Sequence, residues 1–321
     1  MAYFDVFNGD ADGVCALHQL RLAEPRDSIL VTGVKRDIDL LKKVRASAGD
    51  HVTALDISLD KNREALQNLL ALGAQITYVD HHFAADIPDH PGLNAIIDRS
   101  PVVCTSSLVD KMLHGRFRIW AVVAAFGDNS PGCAMHLAAS LGLSGENLAV
   151  LSDLGVCLNY NAYGDTVNDL FFHPAELYRC LHAYADPFEF VTAEPIFPIL
   201  KRGYTADMAM AQATLPAWTY PGGTVYILPD QSWSRRVSGA YGNYLAQAEP
   251  GIAHAVLTRK PEGGYGVSVR ASCTQPTGAD ELCYRFETGG GRKSAAGINN
   301  LPESDLPRFL DSFDTAFQHP H

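Results

Sequence analysis

Three short apolar runs in the first 82 residues each end in aspartate. They are Tyr3–Phe7 before Asn8-Gly9-Asp10-Ala11-Asp12-Gly13, His51–Leu55 before Asp56-Ile57-Ser58, and Ile76–Val79 before Asp80-His81-His82. Between them lie segments of helical period, Val14, Leu17, Leu20 and Leu22 after the first run and an amphipathic stretch over 60–73 that Gly73 stops. Strand, helix, strand alternation implies a mostly parallel sheet with right-handed crossovers. In such a sheet all three strands finish at one edge, and ligands bind outside that edge. An Asp-His-His run alone reads equally well as a polar loop, an Asp-x-Asp turn as a cap, and Asp56 as a helix N-cap. Their recurrence at one sheet edge favours a convergent site.

The pattern extends through the chain. Further strands are expected over 28–34 and 93–98, with a helix from Asp37 to about Ala46. From residue 105 the spacing turns helical, over 106–113, 119–126, 133–141, 147–158 and 174–183, and a connecting helix over 198–215 leads to Pro221-Gly222-Gly223. Strands return over 224–228, 253–258 and 266–270, with helices over 238–247, 279–286 and 304–317. The expected class is α/β. Residues 1–190 form a domain with a mostly parallel sheet flanked by helices, 191–221 form a linker, and 222–321 form a smaller α/β domain.

Composition removes several function classes. The formal charge is −11, so a long phosphate backbone finds little counterion-releasing surface, whereas a small anion can still be held by local cations. Hydrophobic residues make up 47%, and no run approaches the ~18 apolar residues of a membrane span, so a soluble cytoplasmic protein, monomer or homodimer, is expected. The seven cysteines are scattered without a CxxC pair, which disfavours a thiolate zinc site and fits buried free thiols.

Asp10 and Asp12, two apart in a glycine-flanked turn, can face one cavity, where like charges are tolerable around cations. Asp56 from a neighbouring strand and the imidazole of His81 complete a set of mostly carboxylate donors that suits Mn²⁺ or Mg²⁺.

The turn Asp10-Ala11-Asp12-Gly13, the run Leu55-Asp56-Ile57-Ser58 and the triplet Asp80-His81-His82 resemble the first three motifs of the DHH phosphoesterase superfamily. Asp128, after the apolar helix ending Ala124-Ala125-Phe126-Gly127, resembles the fourth, with Asp153 as a rival. Gly289-Gly290-Gly291-Arg292-Lys293-Ser294-Ala295-Ala296-Gly297 resembles the signature of the DHHA1 domain, and 267–270 its preceding strand. The resemblance implies two Mn²⁺ ions, one on Asp10 and Asp56, the other on Asp12, Asp56, His81 and Asp128. It also implies that His82 faces the scissile phosphate and that Asp80 orients a histidine. The implied chemistry is two-metal hydrolysis.

Two departures stand out. One branch of the family carries a histidine where this chain has Val6, and another an aspartate where it has Asn8, a weak ligand that would hold the first ion loosely or through water. Arg292 replaces a histidine common in relatives. Other candidates for phosphate contact are the Gly289, Gly290 and Gly291 amides, Arg292, Arg270, Lys35 and Arg36. Each has a plainer reading as a tight turn, an ion pair or helix-flanking charge. Thr105-Ser106-Ser107 reads as a helix cap first and a phosphate contact second. The remaining histidines, such as His18 and His136, read as structural.

The function implied is hydrolysis of short nucleotides, such as the dinucleotide pGpG, to nucleoside monophosphates. The smaller domain would close over a cleft and so limit substrate length. The alternatives are a 3′-phosphoadenosine 5′-phosphate phosphatase, a RecJ-like single-strand exonuclease, and a catalytically silent nucleotide sensor motivated by Asn8.

Overall fold

The computed structural model describes residues 1–100 and 102–318, which divide into two compact units meeting in sequence at Arg202 and Gly203. The first is built on five parallel strands, β1 (Tyr3–Phe7), β2 (Ile29–Val31), β3 (His51–Leu55), β4 (Gln75–Asp80) and β5 (Leu93–Ile97), in the order β2-β1-β3-β4-β5. The order reverses at β1, so β1 and β3 flank the switch point of a doubly wound sheet.

Alternation along the strands feeds two cores, one on each face. Phe4, Val6, Val52, Ala54, Ile76 and Tyr78 pack beneath α2 (Leu59–Ala71). Phe7, Leu55 and Val79 face the opposite layer, made by α1 (Ala11–Ala23), α3 (Thr105–Met112), α4 (Arg118–Gly127), α5 (Pro131–Ala138), α6 (Gly145–Tyr160), α7 (Pro174–Leu181) and α8 (Pro187–Ala193). Two helices of that layer touch backbone to backbone: a Cβ on Gly155 of α6 would lie 2.2 Å from Val123 O of α4, and one on Gly127 would lie 2.6 Å from Gly155 O.

The helix expected from Asp37 does not form. Buried Asn62 accepts from Leu41 N at 3.0 Å and donates to Ile38 O at 2.6 Å, so an α2 side chain takes backbone groups that a helix would have paired. Only a 3-10 turn at Leu40–Lys43 remains, with Leu40 and Leu41 in the core.

The helix α9 (Ile196–Gln212) carries the boundary between the units. The second unit has a mixed sheet of β6 (Trp218–Tyr220), β7 (Gly223–Leu228), β8 (Ala253–Arg259), β9 (Tyr265–Arg270), β10 (Gly289–Arg292) and β11 (Ala295–Leu301), in the order β10-β11-β9-β8-β7-β6. The one parallel pair, β7 with β8, is joined through α10 (Ser232–Ala248), while α11 (Ala279–Cys283) and α12 (Leu306–Phe317) cover a core that includes Phe309 and Phe313. Among the described residues no helix is long and apolar enough to cross a membrane.

Candidate metal centre

Strands β1, β3 and β4 are neighbours in register, Phe7 opposite Leu55 and Leu55 opposite Val79, so the residues that follow them emerge side by side. After β1 the chain turns tightly, because a Cβ on Gly13 would meet Asn8 O at 2.2 Å. Asp10 caps α1, its Oδ1 accepting from Asp12 N at 3.0 Å and Gly13 N at 3.1 Å. Asp12 then points at the start of α3. Its two oxygens accept from Thr105 N and Ser106 N, each at 2.7 Å. After β3, Asp56 takes a left-handed conformation, φ 58°, which costs an aspartate backbone energy and aims its carboxylate across the edge. The Thr105 hydroxyl donates to Asp56 Oδ1 at 3.0 Å.

These groups meet at His81. Its Nε2 lies 3.4 Å from Asp56 Oδ1, 4.0 Å from Asp12 Oδ2 and 4.0 Å from Asp128 Oδ2, with Asp128 brought in at the C-terminal end of α4. Two groups of mutually close donors share His81, one with Asp12 and Asp128 and the other with Asp56 and His82, and either spacing suits a divalent ion. The ring is also oriented. Its Nδ1 is 3.0 Å from Val103 O, and a carbonyl only accepts, so Nδ1 carries a proton and Nε2 is the nitrogen turned toward the carboxylates, free to ligate once a cation displaces its proton. Three carboxylates and one imidazole form a hard donor set for Mn²⁺ or Mg²⁺.

The electrostatics ask for positive charge. Burial, then the neighbouring Asp10 and Asp12, push the Asp56 carboxyl well above its usual range, and burial likewise raises Asp12. Burial would lower the His81 imidazole, but its hydrogen bond with Asp56 and the charges of Asp56, Asp12 and Asp128 outweigh it and lift the group to about 10. Asp10 goes the other way: burial opposes ionisation, yet Lys35 holds it down to about 2.

The other candidates separate. Asp80 Oδ1 accepts from His81 N at 2.9 Å and lies 2.7 Å from His82 Nδ1, so the carboxylate orients His82 and leaves the Nε2 of that half-exposed ring available. Lys35 is not a surface charge. Its Nζ enters the centre, 2.6 Å from Asp10 Oδ2, 3.1 Å from Asn159 Oδ1 and 3.3 Å from Asp128 Oδ1. Arg36 turns outward to Asp165. Asp153 does not join the cluster but pairs with Lys201 at 2.6 Å.

In the second unit the triple glycine forms the edge strand β10 and not the tight turn of its plainer reading. Its glycines have a packing reason: a Cβ on Gly289 would lie 1.8 Å from Cys283 O, and Gly291, at φ 146°, would meet Ala296 Cα at 2.4 Å. Gly290 pairs with Gly297 in the ladder, and Arg292 is exposed. The Arg270 guanidinium donates to Asn243 Oδ1 at 2.6 Å, to Ser268 Oγ and Val269 O at 3.0 Å, and to Gly239 O at 3.3 Å.

Sequence reasoning missed Asn159, which a strand-end pattern does not reach because it sits on α6. It read Thr105 and Ser106 as a cap without seeing that their donors serve Asp12 and Asp56. The signal was present, since Thr-Ser-Ser opening a helix is a set of donors looking for a carboxylate.

No family model and no curated protein matches the chain. Solved structures do. An exonuclease RecJ bound to manganese superposes with a TM-score of 0.68 at 18% identity, covering 99% of this chain and 91% of that one. A pGpG-specific phosphodiesterase, PggH from Vibrio cholerae, gives 0.57 at 14% identity, with 99% of both chains covered. An exopolyphosphatase-related protein from Bacteroides fragilis gives 0.51 at 13%, covering 99% and 91%. At these identities the likeness is one of fold.

Proposed function

We propose that this chain, which has the DHH/DHHA1 phosphoesterase fold, is a divalent-metal-dependent phosphoesterase whose substrates are short nucleotides such as pGpG. The observation that carries the reading is the gathering of Asp12, Asp56 and Asp128 around His81 at the sheet edge, with His81 Nε2 turned toward all three carboxylates. A bound Mn²⁺ or Mg²⁺ would supply Lewis acidity and a water of lowered pKa. The protein's own groups do the rest. Asp12 is held in place by the Thr105 and Ser106 amides, Asp56 by the Thr105 hydroxyl, and His82, steered by Asp80, presents Nε2 for a phosphate oxygen or for protonating the leaving oxygen.

Purified protein with Mn²⁺ should release nucleoside monophosphates from pGpG or pApA, lose activity in chelator, and lose about a thousandfold in turnover as Asp56→Ala, of the order seen when a principal stabilising group is removed. Full activity in excess chelator would reject the metal reading, and faster turnover of 3′-phosphoadenosine 5′-phosphate than of any dinucleotide would reassign the substrate. A RecJ-like exonuclease is the second reading, favoured by the TM-score of 0.68.

A further inference from the structure

The two-ion arrangement implied by the family resemblance places one cation on Asp10, and at that carboxylate the structure holds an ammonium. We propose that Lys35 stands in the place of one of the two divalent ions, so that the centre takes a single divalent cation, at His81 among the carboxylates of Asp12, Asp56 and Asp128 that surround its Nε2. The inference rests on the phosphoesterase reading above and specifies the make-up of its site.

Three observations carry it. The first is valence. Lys35 Nζ has three protons and three oxygens to receive them, Asp10 Oδ2 at 2.6 Å, Asn159 Oδ1 at 3.1 Å and Asp128 Oδ1 at 3.3 Å, with the Tyr163 ring centroid 5.7 Å away. It bridges Asp10 to Asp128, the acid whose other oxygen faces His81. Asp10 has both oxygens committed, Oδ1 to the start of α1 and Oδ2 to Lys35.

The second is the fate of Asn8. It is buried after β1, and its carboxamide serves the backbone: Oδ1 accepts from Asp10 N at 3.3 Å and Nδ2 donates to Lys35 O at 3.1 Å. Standing where a relative's ligand would stand, Asn8 has become the clamp for the residue that supplies the charge. The third is the anchoring of Lys35 itself. Its N–H donates to Ala162 O at 2.8 Å while Asn8 holds its carbonyl, so the main chain is fixed on both sides and the side chain is delivered inward. Asn8 and the place of the ammonium are therefore coupled through the Lys35 main chain.

With its three protons taken, the ammonium supplies charge but no open coordination position for a water. A divalent ion placed on Asp10 would lie against that ammonium and be repelled by it.

The test is Mn²⁺ stoichiometry on the full chain, by equilibrium dialysis and electron paramagnetic resonance. Wild type should saturate at one Mn²⁺ per chain with the spectrum of an isolated ion. Asn8→Asp combined with Lys35→Gln should take up a second and give an exchange-coupled pair. Two Mn²⁺ per wild-type chain would overturn the inference and leave the phosphoesterase reading standing, whereas no Mn²⁺ at all would bring down that reading too. A folded double variant that still holds one ion would also overturn it. Should the double variant fail to fold by circular dichroism, the wild-type stoichiometry alone decides.

Discussion

At residue scale, Asp56 shows how a candidate metal ligand is placed at the expense of the fold. Its φ of 58° is one that asparagine adopts readily, and its buried carboxyl is raised by desolvation and by Asp10 and Asp12. Asp56→Asn keeps the shape and the acceptor for the Thr105 hydroxyl while removing the charge. In chelator we expect it to be more stable than wild type by about 1 kcal/mol, or about 2–4 °C in Tm. At about a hundred times the Kd for Mn²⁺ wild type gains about 2.7 kcal/mol and the order reverses. Thermal melts of both proteins in both conditions check this, and a variant less stable in chelator would remove the strain argument. Residues of this kind were legible in sequence because each acid follows an apolar run. Lys35 and Arg270 were not: both are cations beside strand ends, and only tertiary placement shows that one enters the centre while the other donates to Asn243 and its own backbone surroundings.

At element scale, the helical layer contains a titratable joint that the sequence presented only as a structural histidine. His18 of α1 is fully buried, donates from Nε2 to Tyr184 O at 3.0 Å, stands edge-on to Trp120 of α4 at 4.5 Å between ring centroids, and meets His182 just past α7. Burial, then His182, lowers it to about 3, and burial also lowers His182. The folded value lies below the unfolded 6.5, so the unfolded chain binds the extra proton. Stability from His18 is therefore complete above about pH 6.5 and falls between there and pH 3, at up to about 1.4 kcal/mol per unit. Denaturant midpoints at pH 7, 6 and 5 should decline more steeply in wild type than in His18→Gln, and parallel declines would contradict the assignment. Most elements were legible from period alone. Several exceptions have physical causes: Asn62 replaced the helix after Asp37, the short strands β6 and β10 and the glycine- and asparagine-bearing β11 carry little apolar alternation, and α8, seven residues long, offers a pattern too short to repeat, although Asp186 before Pro187 was a start signal.

At the scale of the whole molecule, the charge of −11 bears on which substrates can be held. A trailing phosphate backbone gains little from such a surface, so affinity must come from the centre and a few local cations. Turnover should fall from dinucleotide to oligomers of five or more, and the dinucleotide rate should change little between low and high salt. Rates flat or rising with length, with steep loss in salt, would favour the exonuclease reading instead. The same wide-angle view bears on how the centre comes into being. Its four candidate donors run from residue 12 to residue 128, and they meet only when β1, β3, β4 and α4 are assembled. A nascent chain that has not yet delivered α4 lacks Asp128, and one without α3 leaves the Asp12 carboxylate without its amides. Any cation this centre takes can therefore be held by its full set of donors only once the topology that gathers them is closed.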